Sequence, residues 1–197
     1  MVVPDIAKSA ATIFALGAHR IVMGPPSDLG PIDPQVLVGS RGYVSAKEII
    51  SAVDRALTDI SNRPPTYPLY AALLGTGNVD ATTYEFAKSA LGDTAEIAKQ
   101  AIGSNPDRTE AEAEELFKQV EASLITGSQL HSAVVGAAEA RQVGLPVEEL
   151  GLSSEWWRDI WGIWTRYFTL GPHDFMSIYE SEQASQVIDH EPPGPSD

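Results

Sequence analysis

Cysteine is absent from the 197 residues. That excludes disulfides, thiolate metal sites and a cysteine nucleophile, and it leaves the redox compartment open. Basic residues are scarce: 13 Lys and Arg stand against 27 Asp and Glu, a formal charge of −14. So acidic a chain repels nucleic-acid phosphates and anionic headgroups. Nucleic acid is therefore not an expected partner, and nothing in the composition indicates membrane contact. No apolar run approaches the roughly 18 to 20 residues that span a bilayer. The segment Met1 to Ser9 lacks the basic region, apolar stretch and small-residue cleavage site of a secretory leader. A cytoplasmic protein is the expectation. Phosphate-loop, dinucleotide, zinc-protease and EF-hand patterns are also missing, so no cofactor is expected. The glutamates at 110, 112, 114, 115 and 121 follow helical spacing and read as a solvated face rather than a metal site.

What is present is a hydrophobic fraction of 43%, enough for one ordinary domain with a real core. Met1 to Ile6 reads as the end of a buried strand. A helix capped by Ser9 and stopped by Gly17 follows, apolar on nearly every face and so expected to be buried. Arg20 to Met23 reads as a short strand, and G-P-P-S-D-L-G-P-I-D-P as a turn-rich loop. Helices are expected over Ser45–Ile60, Tyr70–Leu74, from the Asp80 cap to about Ile102 with Gly92 as a weak point, and from the Thr109/Glu112 capping box to about Leu124. A further helix over Val134–Val143 and a strand over Leu145–Val147 close this part, giving a domain over residues 1–150. A Trp-rich helix, capped by Ser153 or Ser154, occupies 151–170; its large side chains are either packed in the core or a partner-binding face. Residues 171–197 are acidic and end E-P-P-G-P-S-D, so they are expected to form a tail without structure.

Ser9 stands where a strand gives way to a helix. Backbone N–H groups there stabilise negative charge, which suits a nucleophile, although a serine at that place can equally be a plain helix cap. Its surroundings carry more information. K-S-A-A-T, an apolar helix, R-I-V-M-x-P and L-G-P-I-D-P-Q follow one another from Lys8 to Gln35, and E-A-R-Q-V-G-L occurs within His131 to Val147. These elements resemble the serine dehydrogenase proteinase family, relatives of signal peptide peptidase A and the NfeD-type peptidases within the ClpP/crotonase superfamily. The resemblance covers residues 1–60 and 128–150.

That resemblance implies an α/β fold of ClpP/crotonase type with a mainly helical middle and C-terminal region. It implies a serine peptidase acting on peptide or protein substrates, commonly as a homo-oligomer. Ser9 would be the nucleophile and the backbone N–H of Ala10 one oxyanion donor. For the base, the region where a ClpP-type histidine would fall holds Asp33, a poor substitute. The resemblance points instead to a Ser-Lys dyad with Lys47, 38 residues after Ser9. A solvated lysine paired with a carboxylate is the other reading of Lys47. Lys8 adjoins Ser9, but neighbouring side chains diverge at a helix start. His19 reads as a surface residue, and His131 as a structural histidine or a member of the site. The resemblance also implies βαβ units ahead of the nucleophile, including a Gly-Gly loop with the second oxyanion donor. The chain starts eight residues before Ser9, so the expectation is a partial domain lacking those units, and an inactive scaffold is the alternative function.

Overall fold

The computed structural model describes residues 1–76, 78–127, 134–169 and 176–189. It is a mixed α/β structure with small sheets. The chain divides into two units, Met1–Leu150 and Gly151–Asp197.

The first unit begins with one extended segment in two halves, β1 (Val2–Val3) and β2 (Ile6–Ala7), interrupted at Pro4, which has no N–H for a ladder. Val3 and Ala7 point into the core while Val2 and Ile6 are exposed, the alternation of a strand with one covered face. Helix α1 (Ala10–Leu16) then crosses to β3 (Ile21–Met23), every residue of which is buried. β3 lies between β1 and β7 (Val147–Glu149) in a parallel sheet of order β1-β3-β7, and β2 runs parallel to β4 (Asp28–Leu29). The turn-rich loop expected around residues 24–34 thus contains a strand, and β7 lies two residues beyond its expected start. Residues 35–45 form a hairpin of β5 (Gln35–Leu37) and β6 (Tyr43–Ser45), turned at Gly39 and Gly42, both with positive φ. Strands of two or three residues are too short to leave a periodic signal.

Helix α2 (Ala46–Asn62) starts at Ser45, whose hydroxyl accepts from the Glu48 amide at 3.3 Å. After a single turn at Pro64–Thr66 come α3 (Tyr67–Thr76) and α4 (Ala81–Gly103). Asp80 caps α4 by accepting from the Thr83 amide at 2.7 Å, and Gly92 does not interrupt it. The Thr109/Glu112 capping box opens α5 (Glu110–Val120), which continues as a π-helical turn over Glu121–Ile125. The expected Val134–Val143 helix is shorter, α6 (Ala137–Gln142), because Val135 is taken up in a bridge to Leu29.

The principal core brings Leu16, Ile21, Met23 and Leu29 against Ile102, Leu124 and Ile125. A smaller cluster joins Val36 and Val38 of the hairpin segment to Ile49 of α2 and Ala87 of α4. Arg108 locks one side of the principal core. Its guanidinium donates to the carbonyls of Leu16 at 2.6 Å, Ile102 at 3.0 Å and Ala18 at 3.3 Å, so one side chain serves the open ends of α1 and α4. Burial lowers its pKa below the usual arginine value. Contrary to the expectation of a helix buried all round, α1 covers only Thr12, Ala15 and Leu16, and Phe14 is 82% exposed. Packing against α4 uses one side of so short a helix.

In the second unit, Ser154 accepts from the Trp157 amide at 3.2 Å and opens α7 (Glu155–Thr169). Four aromatic rings form a ladder along it: Trp157 to Trp161 at 6.2 Å, Trp161 to Trp164 at 6.1 Å and Trp164 to Phe168 at 4.9 Å. The stretch 171–197, expected to be structureless, contains an antiparallel hairpin of β8 (Met176–Glu180) and β9 (Ser185–Asp189). Alternation of Ser177 with Ile178 and of Gln186 with Val187 supplies the strand pattern that the acidic composition hides. No described helix is long and apolar enough to cross a membrane.

Candidate active site

The turn between β2 and α1 is assembled around Thr12. This threonine is fully buried, and its Oγ1 lies 2.8 Å from the Ala7 carbonyl and 2.9 Å from that of Gly30, sharing one hydrogen between them. The Gly30 amide donates to the same Ala7 carbonyl at 2.9 Å. The end of β2, the first turn of α1 and the residue after β4 are therefore one hydrogen-bonded knot. Gly30 is required there by space: a Cβ on it would fall 2.3 Å from Lys8 Cγ. Lys8 runs across that glycine and places Nζ 3.2 Å from Oδ2 of Asp28, a residue only 6% exposed. The other carboxylate oxygen accepts from the Val135 amide at 2.8 Å.

Between Lys8 and this helix stands Ser9, with φ 52° and ψ −115°. Among the described non-glycine residues, only Ser9 and Asn78 have positive φ. Asparagine tolerates the left-handed helical region; serine at a ψ of −115° is in neither that region nor any other comfortable for an L-residue. Ser9 stands at the N-cap position, but its hydroxyl makes no capping hydrogen bond, so the expectation that its side chain caps α1 is corrected: the backbone at φ 52° and ψ −115° is not the extended conformation of a capping serine. Ser9 is half-buried and Ala10 exposed. As the first residue of α1, Ala10 has an N–H without a partner inside the helix. Ser9 is thus a half-buried serine on a strained turn from strand to helix, without a helix-capping hydrogen bond.

Lys47 occupies the first turn of α2 and is half-buried. It lines a depression of about 450 Å³ with Ser51, Asp54, Arg55, Thr126 and neighbouring residues, and neither Ser9 nor Ala10 belongs to that lining. His19 is exposed, 3.5 Å from Asp107, as a surface residue. Asp33 is 1% exposed, and its carboxylate accepts from the Gln35 amide side chain at 3.2 Å. His131 lies outside the described residues. Among the described residues no group of three or more His, Asp and Glu is placed to hold a metal. In the sequence Gly30 stands inside L-G-P-I-D-P-Q and Asp28 just ahead of it in the turn-rich loop, and neither they nor Thr12 carries a sign of a task. Apart from the Thr12–Ala7 bond, five residues apart, their partners lie 18 to 107 residues away.

No family model matches the sequence. No solved structure matches it either. The chain is 26% identical over 148 residues to an uncharacterized protein of Methanocaldococcus jannaschii, an alignment covering 75% of this chain and 43% of that protein. The chain thus spans less than half the length of the curated relative it matches.

Proposed function

We propose that this chain is a serine peptidase-type hydrolase of ClpP/crotonase architecture with Ser9 as its nucleophile. One observation carries the reading: the strained backbone of Ser9 at the β2–α1 turn, with a hydroxyl free of helix-capping duty. In this reading Ser9 Oγ attacks a peptide carbonyl, a base takes its proton, and the Ala10 N–H donates to the oxyanion as the tetrahedral centre forms. The amine leaves with a proton, and water then frees the acyl group from Ser9. Removal of one such donor costs about a hundred- to a thousandfold in rate. As base, Lys47 rests on the resemblance of its spacing. Lys8 reaches across Gly30 to Asp28, its Nζ 3.2 Å from that carboxylate, so its side chain is committed to an ion pair.

A fluorophosphonate probe tests the assignment. It is expected to add its mass once to the intact protein, at Ser9, and not to Ser9→Ala. Wild-type protein that stays unlabelled, while a control serine peptidase reacts fully, would sink the proposal. Lys47→Met is expected to abolish labelling if the dyad holds and to leave it intact if another group is the base.

A second reading, an inactive scaffold that assembles with itself or another protein, is favoured by the apolar surface at Phe14, 82% exposed, and along α7 at Ile163 and Phe168, 56% and 58% exposed. Native mass spectrometry of the purified chain checks it; a strict monomer counts against self-assembly.

A further inference from the structure

We infer that Lys8 and Asp28 are a positioning pair whose task is to hold Ser9 in its strained conformation. Strain at a single residue persists only where its surroundings over-determine it. Ser9 has a fixed point on either side. On the helix side, buried Thr12 ties α1 to the Ala7 and Gly30 carbonyls at 2.8 and 2.9 Å. On the strand side, the Lys8 side chain is drawn across Gly30 to Asp28 at 3.2 Å. The anchor itself cannot follow the lysine. Asp28 is paired in β4 against β2, its amide donates to the Asp5 carbonyl at 2.7 Å, and its second oxygen holds the Val135 amide at 2.8 Å.

The pair is drawn partly out of water, with side-chain exposures of 24% for Lys8 and 8% for Asp28, so the attraction is screened less than at the surface. The slot is equally specific. A Cβ on Gly30 would meet Lys8 Cγ, Cδ and Cβ at 2.3, 2.7 and 2.8 Å, too many atoms along the stem for a tip movement to relieve. In the motif from Lys8 to Gly30, the lysine, aspartate and glycine thus serve one purpose, the backbone angle of the residue after the lysine. Lys8 acts through its position, as a cation.

The effect on reactivity rests on the reading of Ser9 as nucleophile; the effect on the backbone does not. The experiment therefore has two readouts on the full chain: the Ser9 φ angle from NMR scalar couplings, and the second-order rate of fluorophosphonate labelling. Lys8→Met and Asp28→Asn are each expected to move Ser9 to negative φ and slow labelling by about ten- to a hundredfold. The double variant should be no slower than either single one, because the two residues act as a unit. Lys8→Arg keeps the charge and cannot lose a proton near neutrality, so it should recover most of what Lys8→Met loses. Retention of positive φ at Ser9 in folded Lys8→Met overturns the inference. So does labelling abolished in Lys8→Arg with Asp28→Asn unaffected, the signature of Lys8 as a base. If Lys8→Met does not fold, Lys8→Arg and Asp28→Asn still decide. If wild-type protein is unlabelled, the nucleophile reading fails and the φ angle alone judges the pair.

Discussion

Ser9 holds its backbone at a cost of about 1 to 3 kcal/mol. Glycine meets no such cost at φ 52° and ψ −115°, so Ser9→Gly is expected to raise the unfolding midpoint, whereas Ser9→Ala, which keeps a Cβ, should not. Differential scanning calorimetry of the two variants side by side reads the strain directly. Arg108 is the opposite case, a residue that pacifies its neighbours. Arg108→Met leaves the Leu16 carbonyl without its donor and the Ala18 and Ile102 carbonyls with their bonds from Asn105, and should cost roughly 1 to 3 kcal/mol in urea unfolding. Arg108→Lys should recover little, since an ammonium cannot reach three carbonyls as a planar fork does. At this scale the sequence shows Ser9, because S-A-A-T stands between a strand pattern and an apolar helix. It does not show the φ of Ser9, which arises from Thr12, Gly30 and Asp28 meeting in space. Nor does it show Arg108 capping a helix 92 residues away.

Helices with chemical punctuation are the legible elements. Asp80 and the Thr109/Glu112 box mark the starts of α4 and α5 where the structure has them. The two- and three-residue strands β2, β4 and β5 carry no such marks and are stabilised by pairing across the chain. Those caps also predict an acid response. The backbone N–H and then the hydroxyl of Thr109 hold the Glu112 carboxyl below its ordinary value of 4.5, and Thr83 does the same for Asp80, whose ordinary value is 3.8. A carboxyl with a lowered folded pKa contributes stability that is complete above its unfolded value and is lost as pH falls through the folded one. Helix content followed by circular dichroism is therefore expected to decline as pH drops below about 4.5, and Glu112→Gln should flatten that decline. Tyr84 has the reverse sign. Its hydroxyl donates to Asp54 at 2.6 Å, which raises its pKa, so this tie between α4 and α2 contributes fully below the ordinary tyrosine value of 10.0 and is lost only as pH rises through the higher folded value. Tyr84→Phe is expected to remove that alkaline dependence.

The whole chain carries a formal charge of −14, and like charges along it repel. Raising sodium chloride from about 10 to about 150 mM shortens the reach of that repulsion and is expected to raise the unfolding midpoint. At the lower salt the protein should pass through DNA-cellulose without retention. The composition alone licenses both expectations; the division into Met1–Leu150 and Gly151–Asp197 follows the shift to a tryptophan-rich sequence. The hairpin over Met176–Glu180 and Ser185–Asp189 lay hidden beneath acidic composition. A last consequence concerns which parts open together. A helix of seven residues is too short to be stable alone, yet α1 has its end carbonyls bonded to the same guanidinium as the end of the 23-residue α4. Deuterium should therefore enter the amides of α1 at the slow pace of α4, since neither helix end can fray without releasing the other, and Arg108→Met should let α1 exchange first.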